Sequence, residues 1–156
     1  MNALARLGMV SESPSENPAM STVSPEPQIQ EPQKDYYVEK DGVKYAGMHL
    51  IIDLWGASNL DQPELIDQTL CDGAIAAGAT ILHHHFHHFE PNGGVSGVIV
   101  LSESHISIHT WPERNFAALD VFMCGCADPY KLIPFLKASF TPTHIQVNEQ
   151  KRGLVA

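Results

Sequence analysis

Basic residues, cysteines and long apolar runs are all scarce in this chain. Nine lysines and arginines stand against 18 aspartates and glutamates, a formal net charge of −9 over 156 residues. Binding a phosphate backbone needs a basic patch, so a nucleic-acid partner is not expected. The three cysteines, Cys71, Cys124 and Cys126, are odd in number and follow no disulfide-framework spacing. Cys124 and Cys126 form C-x-C, too tight for a zinc knuckle and without a second pair, which points to a reducing cytoplasm. No segment approaches the roughly 18 apolar residues of a membrane span. MNALARLGMV lacks the continuous apolar run and cleavage site of a signal peptide. A soluble, cytoplasmic protein is expected, and its hydrophobic fraction of 44% is ordinary for a globular chain.

Histidine, by contrast, is abundant. Seven of the nine (His83, His84, His85, His87, His88, His105 and His109) fall between positions 83 and 109, five of them within ILHHHFHHFE. Imidazole changes charge near neutral pH and is the commonest metal ligand, so the cluster invites a functional reading without choosing one.

Composition divides the chain. Residues 1–34 hold five of the 11 prolines, many serines and few large apolar side chains. Such a segment buries too little surface to offset the entropy of ordering, and disorder is expected there. The folded domain is expected over 35–156. GMHLIIDLW (47–55) reads as a buried strand. DQPELIDQTLCDGAIAAG reads as a helix, with Asp61 as N-cap, Pro63 in the first turn, Leu65, Ile66, Leu70, Ala74 and Ala77 on one face, and Gly78 as the stop. ATILHHHFHHF, VSGVIVLSE, SHISIHT and NFAALDVFM read as strands, with PNGG (91–94) turning between the first two. DPYKLIPFLKASF reads as a second helix, in tension with Pro134 unless the helix starts late or bends. THIQVNE closes as a strand.

Hairpin-linked strands with two helices imply an α+β, two-layer sandwich: a largely antiparallel sheet with both helices on one face. The uncovered face needs a partner, so a homodimer through the sheets, giving four layers αββα, is expected.

Residues two apart share a face of a strand. SHISIHT therefore presents His105, Ser107 and His109 together, opposite Ile106 and Ile108. The histidine run presents His83, His85 and His87 on one side and His84, Phe86 and His88 on the other. Spacing alone leaves three readings open: a zinc-type site on His-x-His pairs, a nucleophile beside a histidine base, or a polar, half-exposed sheet face.

At LSESHISIHTWPE (101–113) the sequence resembles the bacterial and archaeal short form of S-adenosylmethionine decarboxylase, a pyruvoyl-dependent, self-cleaving family of spermidine synthesis. The resemblance runs in order through YAGMHLIIDLW, GATIL, HHF, PNGGVSGV, ESHISIHTWPE and AALDVFMCG, about 115 residues. It implies that Ser104 attacks the Glu103 carbonyl, that the chain splits into 1–103 and 104–156, and that Ser104 becomes a pyruvoyl group forming a Schiff base with the substrate amine. It implies that His109 is the proton acceptor in processing and Cys124 the proton donor in catalysis, with Cys126 incidental. Phe89 and Trp111 would hold the adenosyl part between rings, and Glu113 the ribose hydroxyls. Adenine offers flat faces for stacking and the sulfonium is a cation that aromatic faces attract. Ser96 and His87 match positions in or near the site. No metal is implied, and His83, His84, His85 and His88 would shape a polar pocket or line the sheet.

Three alternatives are weighed. A pyruvoyl decarboxylase of ornithine or arginine would share Ser104, His109 and Cys124 but has no use for two rings and a ribose clamp. A histidine-rich metal protein would hold stoichiometric metal and stay uncut. A homologue that never matures is disfavoured by the intact Ser104, His109 and Cys124.

Overall fold

The computed structural model describes residues 36–155. The tail expected to be disordered, 1–34, lies outside the described residues. A short hairpin opens the domain, β1 (Val38–Lys40) and β2 (Val43–Tyr45), turning on Asp41 and Gly42 at positive φ. Reading the sequence from GMHLIIDLW onward missed this pair, whose strands are three residues each.

β3 (Gly47–Trp55) occupies the whole of the expected strand. It is buried on one face only: Leu50, Ile52 and Leu54 are fully enclosed, whereas Ile51 and Trp55 are exposed. This period-2 pattern marks a sheet packed on one side. α1 (Pro63–Ala76) follows, with Gln62 rather than Asp61 at the N-cap position and no side-chain cap bond. Proline at the first helical position suits a residue without an N–H to offer. Ile66, Leu70 and Ala74 turn inward, and Gly78 ends the segment at φ 83°.

β4 (Ile81–His88), β5 (Val95–Leu101), β6 (Ser104–Trp111) and β7 (Phe116–Cys124) then form a meander. The tension at Pro134 resolves into two pieces. A 3-10 turn spans Pro129–Leu132, capped by Asp128 accepting from the Tyr130 N–H. α2 (Ile133–Phe140) begins afresh with Pro134 in its first turn, where the missing donor costs nothing. β8 (His144–Arg152) closes the sheet, whose order is β4-β5-β6-β7-β3-β8 with every pairing antiparallel.

Both helices cover one face, over a core of Ile99, Ile106, Ile108, Leu119, Val121, Leu132, Leu136 and Phe140. The expected two-layer α+β architecture is the observed one. Among the described residues the opposite face is open. On it lie His83, His85 and His87 of β4, Ser96, Val98 and Val100 of β5, and His105, Ser107 and His109 of β6, in step through the pairing register. The histidine run is thus an edge strand. Polar side chains on an edge discourage pairing with another chain, and His84, on the helix side, lies 2.8 Å from the Asp67 carboxylate of α1. Asp67 also accepts from the Cys71 thiol at 3.2 Å. Burial, with Asp67 beside it, pushes that thiol up to about 12, so it stays protonated and the three groups satisfy one another.

Candidate active site

β5 and β6 are joined by only Ser102 and Glu103, and the register pairs Leu101 with Ser104. Two-residue hairpins usually take primed turns, with positive φ at a central position supplied by glycine or asparagine. Here the positive φ falls instead on Ser104, at 155°. Residues with a Cβ seldom occupy that region, and strain of this kind persists only where the surroundings over-determine it.

Those surroundings are specific. The Glu103 carbonyl accepts a hydrogen bond from the Cys124 backbone N–H at 3.1 Å. The Glu103 carboxylate accepts from the Thr80 N–H at 2.8 Å and from the Thr80 hydroxyl at 3.3 Å. The Thr80 carbonyl in turn takes the Ser102 N–H at 2.9 Å. Glu103, Ser104 and Cys124 are all half-buried. Burial raises the Cys124 thiol above its ordinary range and the Glu103 carboxylate adds to this, against a smaller opposing effect from a backbone hydrogen bond. A thiol held protonated is a proton donor rather than a nucleophile.

The remaining expected residues gather elsewhere. His87 pairs with Ser96, and Ser96 with His109, so the three form a row across β4, β5 and β6 on the open face. Phe89, just past β4, stands edge-on to His87 with ring centroids 4.5 Å apart. Trp111 lies 6.2 Å from His109 and 5.4 Å from Phe116, and Phe116 lies 4.3 Å from Trp55. Glu113 sits in the exposed 3-10 turn Pro112–Arg114 that follows Trp111. Phe89, Trp111 and Trp55 are each more than a third exposed.

Along one chain the expected residues therefore fall into two separate groups. Ser104, Glu103 and Cys124 occupy one end of the sheet, and His87, Phe89, Ser96, His109, Trp111 and Glu113 the other. Ser104 and His109 are five residues apart on a single extended strand, roughly 17 Å at about 3.4 Å per residue. His109 and Ser104 do not meet within the chain.

Three residues of these ends were not anticipated. Thr80 sits between a helix stop and a strand, where threonine is an ordinary turn residue, and its partner is 23 positions away. Trp55 and Phe116 join Trp111 only through the β3–β7–β6 register, which pairs Trp55 with Phe116 and Phe116 with Trp111. The alternation of β3 places Trp55 on the open face, but strand order cannot be read from alternation.

Comparison with known proteins bears on the family of the chain. The family description S-adenosylmethionine decarboxylase matches residues 48–153. The S-adenosylmethionine decarboxylase proenzyme of Thermomicrobium roseum is 41% identical over 114 residues, covering 72% of this chain and 98% of that protein. Its counterpart from Methanococcus maripaludis is 47% identical over 116 residues, covering 72% and 94%. Among solved structures, the adenosylmethionine decarboxylase of Aquifex aeolicus superposes with a TM-score of 0.64 at 35% identity, covering 72% of this chain and 94% of that one. Family match, near full-length relatives and a shared fold lead to one conclusion: this chain belongs to the S-adenosylmethionine decarboxylase family.

Proposed function

We propose that the chain is a precursor that cuts itself between Glu103 and Ser104 and then decarboxylates S-adenosylmethionine, yielding the aminopropyl donor for spermidine synthesis. The observation that carries this reading is the Glu103 carbonyl held on the Cys124 N–H beside a strained Ser104. Attack by Ser104 Oγ converts the peptide bond to an ester, and the Cys124 N–H faces the oxygen on which charge develops. Removal of the Ser104 Cα proton expels Glu103 as a carboxylate, leaving a dehydroalanine at 104. Water then releases ammonia and leaves a pyruvoyl end.

His109 is the base for that proton, and it comes from a second chain. Its distance along β6 from Ser104 supports this, as does the apolar surface of the open face, where Ile51, Trp55, Val98, Val100 and Trp111 are exposed. Two chains related by a two-fold axis, packed open face to open face, would bring the His109 end of one onto the Ser104 end of the other, making a four-layer homodimer.

The pyruvoyl carbonyl supplies an attachment point for the substrate amine and takes up the electron pair left when carbon dioxide departs. The Cys124 thiol, held protonated by burial and Glu103, returns a proton to the substrate carbon. Trp111 and Phe89 offer faces for adenine and the sulfonium, Glu113 accepts from the ribose hydroxyls, and Ser96 and His87 line the same end. Decarboxylation of ornithine or arginine is not favoured, since those substrates would leave the aromatic row unused. Chemistry that depends on a free thiol suits a reducing cytoplasm.

Intact-mass measurement after incubation tests the reading. Fragments 1–103 and 104–156 are expected, the second lighter by one ammonia than a serine-ended peptide, followed by carbon dioxide release from S-adenosylmethionine and not from ornithine or arginine. A chain that stays whole under conditions where S104A behaves identically would overturn it.

A further inference from the structure

Three hydrogen bonds of the cleavage turn end on one residue outside it. Thr80 takes the Ser102 N–H on its carbonyl and gives its own N–H and hydroxyl to the two oxygens of the Glu103 carboxylate. Its position is set by the core. The preceding residue, Ala79, is buried and donates its N–H to the Ala74 carbonyl at the end of α1, and β4 begins at the next residue, Ile81. Thr80 is therefore a fixed point against which the turn is braced.

The brace answers a mechanical problem. The Ser102–Glu103 turn has neither glycine nor asparagine, so it lacks a residue that adopts positive φ at little cost. Rotating the Glu103–Ser104 peptide would relieve Ser104, but it would also lift the Glu103 carbonyl off the Cys124 N–H. Holding both the backbone before Glu103 and its carboxylate removes that freedom. Attack on a carbonyl is fast only when the reacting atoms are kept in a near-attack arrangement.

We propose that Thr80 is a positioning residue for chain cleavage: by gripping the Ser102–Glu103 turn at its backbone and its carboxylate, it keeps the Glu103 carbonyl on the Cys124 N–H and the strain on Ser104. The proposal rests on the self-cleavage reading above. It locates Thr80 at the first chemical step, the shift from amide to ester, and not at the later proton removal by His109.

The test follows precursor cleavage by intact mass in the full chain for wild type, T80V, T80S, E103A and H109A, each with and without hydroxylamine, which splits an ester but leaves an amide. T80V is expected to cleave about 3- to 10-fold more slowly, the usual net effect of losing one solvent-exposed hydrogen bond. T80S, which keeps the hydroxyl, should run near the wild-type rate, and E103A more slowly than T80V. Hydroxylamine should split H109A, stalled after the ester forms, and leave T80V and E103A unchanged. Wild-type rates in both T80V and E103A would overturn the proposal, as would splitting of T80V by hydroxylamine as readily as H109A. If T80V does not fold, E103A carries the same test. A wild-type chain that never cleaves would instead remove the reading of function beneath it, so the two failures are distinct.

Discussion

Cys124 presents two groups near the Ser102–Glu103 turn, and the proposed reaction uses them at different steps. Its backbone N–H donates to the Glu103 carbonyl, while its thiol is held protonated by burial and the Glu103 carboxylate. C124A keeps the first and loses the second. The precursor should still cut itself, and turnover should fall by about 10²-fold or more, the usual worth of a positioned acid; fragment mass and carbon dioxide release measure the two separately. The thiol's reactivity offers a second check. Alkylation requires thiolate, and both burial and the Glu103 carboxylate disfavour the charged form of Cys124. At neutral pH iodoacetamide should label the exposed Cys126 ahead of Cys124 in the precursor. E103Q, by removing a negative charge, lowers the Cys124 pKa toward the ordinary thiol value and should quicken its labelling; peptide mass spectrometry reads both sites. Ser104, His109 and Cys124 are proposed on the family resemblance carried by ESHISIHT and AALDVFMCG, since spacing alone leaves three readings open. Thr80 could not be picked out from the sequence, since a threonine in a turn is unremarkable until its distant partner is known.

β6 is the element that organises the rest. Its inward residues, Ile106 and Ile108, are fully buried, and its outward residues run from the cleavage end to the aromatic end. Period-2 alternation made that division readable from SHISIHT, and the same rule divided the histidine run correctly between the two faces. Strand order was less accessible. The return of β3 to lie between β7 and β8 is a long-range pairing, and it alone lines up Trp55 with Phe116 and Trp111. The hairpin of β1 and β2 escaped notice because three-residue strands carry no measurable period. α1 supplies the stability test for this architecture. Gly73 packs directly on Leu132, and a Cβ built there would come within 2.0 Å of the Leu132 Cδ1, a fully buried side chain. G73A should destabilise the fold by about 1–3 kcal/mol through overpacking, seen as a lowered melting temperature. The chemistry of the surviving folded protein should be unchanged.

Among the described residues the sheet is covered on one side, with Glu103, Ser104 and Cys124 at one end of it and the aromatic row of Trp55, Phe116 and Trp111 at the other. Small apolar groups on the open face, Val98 and Val100 among them, are exposed in the single chain. A charge there should prevent pairing without disturbing the helix-side core. V98E is expected to remain folded, sediment as a monomer and stay uncut, which separates loss of assembly from loss of fold. The acidic balance, −9 overall, suits a protein whose substrate carries a sulfonium cation. The most direct measurement mixes two inactive chains. S104A cannot be cut but retains His109; H109A retains Ser104 but lacks the base. Coexpressed, they would, on the proposed arrangement, form mixed dimers in which the His109 of the S104A chain meets the Ser104 of the H109A chain. Cleavage of the H109A chain in the mixture, absent when either variant is expressed alone, is the predicted result. An H109A chain that stays whole in mixed dimers shown to have formed would contradict a site shared between two chains.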